Sequence, residues 1–253
     1  MGIMESISKG FGITKKSMGL VFLLFVFGLI FNILNVLLAP PVPDSTQGPS
    51  PALIGVMGLF VLLSIYFQGG SMAYVRDAVK GQTAGLGSFL SGGGKYYIKV
   101  LFLGLAVSLI VGVFVLLAAL AGAFLQDKPF ISVPLMILCA AFGVYFAVLL
   151  FLSPYAIVAD EKGVGTALKL SIKLVKKNIL KLLGISGLLV LIGFGIGLLL
   201  GGVLAGISIG IKDEKISQLV FSFPSSFVNS FLGVFVTAAF MNFYLSLPDR
   251  NNI

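Results

Sequence analysis

Long apolar stretches alternate with short polar ones along the chain. Six of the apolar stretches are long enough to cross a bilayer, which takes about 20 residues. They lie near Met18–Leu38, Ala52–Val75, Tyr97–Leu125, Ile131–Val158, Leu182–Gly210 and Pro224–Leu247, and none carries a charge in its middle. Inside lipid, every backbone N–H and C=O must be satisfied within the segment, so runs of this length are helices. The pattern predicts an all-α polytopic membrane protein: six transmembrane helices in a single domain over residues 1–253, with no soluble appendage.

Between the fourth and fifth runs the period changes. In KLSIKLVKKNILKLLG, residues 169–184, five lysines crowd one short segment. Leu168, Ile172, Val175, Ile179 and Leu182 recur at helical spacing, and Lys169, Lys173, Lys176, Lys177 and Lys181 lie on another side, with Leu180 interrupting the polar face. A helix of this kind lies in the membrane interface with its apolar side down. Its lysines can meet anionic headgroups, each adding about 1 kcal/mol near the surface. The plainer alternative is that they only fix topology.

Residues 80–101 and 162–183 align without a gap. Lys80 meets Lys162, Gly81 meets Gly163, Leu86 meets Leu168, Lys95 meets Lys177 and Lys99 meets Lys181; upstream, Ser71 meets Ser153. The N-terminal FGITKKSMGLVF aligns more weakly, with Lys15 and Lys16 on Lys176 and Lys177 and Phe11 on Ile172. The implied architecture is three helical hairpin repeats, near residues 5–79, 80–161 and 162–250, each opened by a basic amphipathic elbow helix. The competing explanation is that basic loops resemble one another by composition. The second elbow contains SGGG, a poor helix former, and is expected to be looser.

Composition agrees with the pattern. Hydrophobic residues are 58% of the chain and charged residues only 10%, against about 25% charge in soluble domains; mean hydropathy is +1.12. The net charge of +8 follows the loops and does not imply nucleic-acid binding. Fourteen lysines and arginines fall on one side of the six-span arrangement and three, Lys128, Lys212 and Lys215, on the other. By the positive-inside rule both termini are expected in the cytoplasm, in a multi-pass arrangement. The outer loops include the proline-rich PPVPDSTQGPSP, an extended connection. The lysines before the first run resemble a signal peptide, but the apolar part is too long and no small-residue cleavage site follows, so it is read as a retained helix. Residues 1–6 also fit the short myristoylation pattern, which nothing else in the sequence supports.

Helices in lipid associate through small residues. The fifth run carries two four-residue series, Gly193, Gly197, Gly201 and Gly202, Gly206, Gly210, which predict close helix packing and the most enclosed helix; flexibility or a permeation path is the alternative. Gly104, Ser108 and Gly112 make a milder series in the third run. Uncharged polar residues also occur at depth: Asn32, Asn35, Gln68 and Asn242, with Ser222, Ser226, Asn229 and Ser230 on one face beyond Pro224. They are read as interhelical hydrogen-bonding groups, or alternatively as a small polar pocket.

SPYAIVADEKGVGTALKLSIKLVKKNILKLL carries a further pattern in Pro154, Glu161, Gly163, the pair Ala167 and Leu168, Ser171, Lys177 and Asn178. This stretch of about 30 residues resembles a broad group of uncharacterised prokaryotic six-helix membrane proteins. That group includes the membrane domain attached to some glycerophosphodiester phosphodiesterases and the YciC-like inner-membrane proteins. The resemblance implies a prokaryotic cell (inner) membrane protein with no established activity. It does not carry over the phosphodiesterase chemistry, which belongs to a soluble domain.

Candidate chemistry is sparse. There is no histidine and one cysteine, Cys139, inside an apolar run, so the commonest metal ligand and general base are missing. The glycines of SGGGK lack Walker spacing. No ionisable group lies mid-span to relay protons, and Ser91 with Lys95, at the wet interface, makes a poor catalytic dyad. The expectation is a non-enzymatic membrane component with no cofactor, envelope- or lipid-associated, whose partners are anionic membrane lipids at the cytoplasmic face and not nucleic acid. The alternative is a transporter or permease-like subunit for a lipid or small uncharged solute.

Overall fold

The computed structural model describes residues 2–38, 51–208, 211 and 213–248. Among these, every regular element is a helix: α1 (Ile3–Lys16), α2 (Met18–Leu38), α3 (Pro51–Val79), α4 (Leu86–Phe124), α5 (Pro129–Leu150), α6 (Ser153–Ala159), α7 (Val164–Ser208) and α8 (Glu214–Leu245). Six helical segments are long and apolar enough to span a membrane, α5 and α6 together forming one of them. The proline-rich stretch 40–50 and Gly210 lie outside the described residues.

Helix boundaries follow local chemistry. Pro129 opens α5 in the first turn, where its missing N–H costs nothing. Asp213 caps α8, its carboxylate accepting from the N–H groups of Lys215 at 2.9 Å and Ile216 at 3.1 Å, which satisfies two of the first-turn donors. The fourth run is not one helix. Pro154 has no N–H to give the carbonyl of Leu150, and its ring crowds that carbonyl; α5 stops there and α6 restarts at Ser153.

The first and third basic elbows end in breaks, whereas the second runs without one into α4. α1 stops at Ser17 (φ −105°, ψ 30°), and α2 follows directly. Within α7 the backbone leaves helical geometry at Asn178 (φ −124°, ψ 25°), whose amide nitrogen donates to the Leu174 carbonyl at 3.0 Å. Ser17 and Asn178 are the residues that follow the aligned pairs Lys15–Lys16 and Lys176–Lys177.

The chain divides into two compact units, Met1–Gly94 with Leu183–Ser246, and Lys95–Leu182 with Leu247–Ile253. In the first, α8 is the central helix and packs on α1, α2 and α3. Val234, Phe235, Ala238, Ala239, Phe240, Met241, Phe243 and Tyr244 are all buried. Glycine permits the closest approaches. A Cβ on Gly10 of α1 would sit 2.8 Å from the Ala239 backbone nitrogen. Aromatic rings fill the α2–α3 contact: Phe27 stacks on Phe67 with centroids 4.0 Å apart, and Phe31 stacks on Phe60 at 3.5 Å.

In the second unit, α6 is apolar all round and accordingly buried: Tyr155, Ala156, Ile157, Val158 and Ala159 are all inside. α4 and α5 pair through Phe114, which stacks on Phe146 at 5.4 Å, while Gly143 lies against the Phe114 side chain.

Two expectations are corrected. Of the six spans, the fifth is the least buried, and a Cβ on Gly193, Gly197, Gly201, Gly202 or Gly206 would meet nothing within 4 Å. No described part of the chain closes on these glycines. An all-apolar helix can face acyl chains without penalty, so small residues permit a close partner without requiring one. Gly104 and Gly112 are open in the same way. The SGGG segment, expected to be loose, is part of continuous α4. Two of its three glycines are in close contact: a Cβ on Gly92 would collide with the Cβ of Ala73, and one on Gly93 would come within 2.6 Å of the Tyr66 ring, while Gly94 is open. Tertiary packing against α3 overrides the poor intrinsic helix propensity there.

Candidate functional site

In the second unit, the residues that punctuate residues 149–178 form one connected structure. The α5–α6 break leaves a carbonyl at Leu149 and an N–H at Leu152 without helical partners. The Ser171 hydroxyl of α7 donates to the first at 2.7 Å and accepts from the second at 3.1 Å. All three bonded groups are buried, where an unpaired backbone group would be costly.

After α6, Glu161 takes a left-handed backbone conformation, φ 54°, a position where glycine is the usual occupant. Its side chain explains the exception. Glu161 Oε1 accepts from Lys95 Nζ at 2.6 Å and from the Tyr96 hydroxyl at 3.2 Å, and its backbone carbonyl accepts from Lys99 Nζ at 3.2 Å. Lys95 and Lys99 stand one turn apart on α4, so one acidic residue ties two lysines of that helix to the start of α7. Ser91 donates to the Ser88 carbonyl at 3.4 Å and forms no dyad with Lys95. The sequence reading had Glu161 only as part of a resemblance; the signal was an acidic residue in an otherwise basic segment.

The lysine-rich part of α7 has three faces. Ala167, Leu170, Ser171, Leu174 and Val175 are buried. Lys169, Lys173, Lys176 and Lys177 are exposed. Leu168, Ile172 and Ile179 are half-exposed between the two. The expected apolar stripe is therefore rotated: Val175 and Leu182 are inside, while the rest of the stripe borders the lysines. The same division recurs on α1, where Ser6, Ile7, Gly10 and Thr14 are buried and Lys15 and Lys16 exposed.

Three of the four polar residues on one face of α8 have hydrogen-bond partners. Ser222 donates to the Gln218 carbonyl and Ser230 to the Ser226 carbonyl, both at 2.8 Å. Ser226 accepts from Asn32 of α2 at 2.8 Å, and Asn229 is exposed. Ser222 and Ser230 thus bond back onto carbonyls of α8 itself, whereas Ser226 joins α8 to α2 through Asn32.

The first unit holds a cleft that the sequence reading missed. It has a volume of about 430 Å³ and is lined by Lys9, Gly12, Ile13 and Lys16 of α1, Ala78 and Val79 of α3, and Asn242 of α8. The cleft lysines are seven residues apart, so they share a face of α1 with Gly12 and Ile13 between them. Lys9 also pairs with Glu5 at 2.9 Å, and that hydrogen bond holds the Glu5 carboxyl below its ordinary value. No group of three or more metal-ligating side chains occurs among the described residues.

Six membrane-length helices, buried aromatic and small-residue packing, and basic breaks between spans define a multi-pass α-helical membrane protein. The chain belongs to a family described as a domain of unknown function, DUF7847, which matches residues 1–247. No curated protein and no solved structure matches the chain.

Proposed function

We propose that the protein is a non-enzymatic component of a prokaryotic cell membrane, with both termini cytoplasmic, that engages anionic lipid through its basic elbows. The observation that carries this reading is the three-faced lysine segment of α7. One face is buried in the protein, one is half-exposed and apolar, and one presents Lys169, Lys173, Lys176 and Lys177. An interfacial helix needs this division: the apolar border contacts acyl chains while the charges reach headgroups. The bond from Asn32 to Ser226, which ties α2 to α8, supports a structural role over a solute path. Pro154, Glu161, Ser171 and Asn178 each have a structural task, which supports reading the resemblance to the YciC-like group as one of fold.

Replacing Lys169, Lys173, Lys176 and Lys177 by glutamine keeps the helix and removes four charges. In bilayers containing phosphatidylglycerol, the variant should lose about 1 kcal/mol of surface attraction per lysine. It should lose almost none in phosphatidylcholine, and added salt should shrink the difference. Thermal stability in the two lipids is the measurement. Equal behaviour of variant and wild type in the anionic bilayer would reduce the lysines to topology signals.

A further inference from the structure

The cleft beside Lys9 and Lys16 is built from different residues and combines charge with enclosure. We propose that it binds the phosphodiester headgroup of a single anionic phospholipid. Three features point to this ligand. Lys9 and Lys16 flank the opening from one face of α1. Lys16 meets no carboxylate among the described residues, so its charge is available, and an ammonium is a suitable point charge for a phosphate. The wall beside them is apolar, formed by Ile13, Ala78 and Val79, which suits glycerol and the first acyl carbons and gives nothing to a free inorganic anion.

The third feature is the polar floor. Asn242 is nine-tenths buried and gives one amide hydrogen to the Ala238 carbonyl at 2.9 Å, which leaves the second for an acceptor. Gly12 lines the cleft, and a Cβ there would meet no protein atom within 4 Å, so the cleft has room for a larger side chain that would compete with a ligand. Basic pockets between spans are established places for anionic headgroups.

The test uses the full chain in a neutral detergent with Lys169, Lys173, Lys176 and Lys177 intact, so that its outcome is separate from that of the α7 lysines. Short-chain phosphatidylglycerol, short-chain phosphatidylcholine and inorganic phosphate are titrated while the melting temperature and the lipid retained in native mass spectrometry are followed. The paired change Lys9→Gln with Lys16→Gln should weaken phosphatidylglycerol binding about ten-fold, mostly through Lys16, since Lys9 is paired with Glu5. Gly12→Leu, which keeps every charge, should abolish the retained lipid while leaving the lipid-free melting temperature unlowered. Unchanged retention in Gly12→Leu would overturn the proposal, as would unchanged retention in the paired lysine variant. Equal protection by inorganic phosphate or by phosphatidylcholine would overturn it too.

Discussion

A hydroxyl group decides the integrity of the fourth span. Ser171 serves two backbone groups at the α5–α6 break, and Ser171→Ala leaves both buried without a partner. The expected loss is about 1–3 kcal/mol, read as a lowered denaturation midpoint in detergent. Ser153 provides the contrast. It is buried, and its hydroxyl has no hydrogen-bond partner among the described residues, so Ser153→Ala should be neutral or stabilising. Ser71, which aligns with Ser153, has the same property. A stabilising Ser171→Ala or a damaging Ser153→Ala would reverse the assignment of which serine holds the break together.

Helix contacts show where glycine matters. Gly92→Ala drives a methyl into Ala73 and should cost about 1–3 kcal/mol. Adding Ala73→Gly should restore much of that, a coupling visible only in the double variant. Gly197→Leu should fall within about 0.5 kcal/mol of wild type, since open space surrounds that position. Thermal unfolding of the four proteins in detergent tests both statements, and a large loss at Gly197 would mean that a partner outside the chain covers α7. The six spans were legible because continuous apolarity over membrane length has one structural solution. Which glycines pack was not legible. Gly92 and Gly197 both look like small residues at helical spacing, and only the approach of Ala73, distant in sequence, separates them. The break at Leu150 was signalled by Pro154, whereas its repair by Ser171 joins residues 22 apart in the chain and has no local signature. The cleft at Lys9 and Lys16 was hidden for the same reason, since its walls come from three helices.

The whole chain is asymmetric in charge, with fourteen lysines and arginines assigned to one side of the spans and three to the other. Reporter fusions after Ile253 and within 162–181 should therefore read as cytoplasmic, and fusions within 41–51 as external. An external reading after Ile253 would overturn the orientation. The stitch at Ser171 makes the fourth span depend on the fifth, because the side chain that closes it lies 22 positions further along the chain. A chain cut short before Ser171 would therefore carry a fourth span with two buried backbone groups unsatisfied.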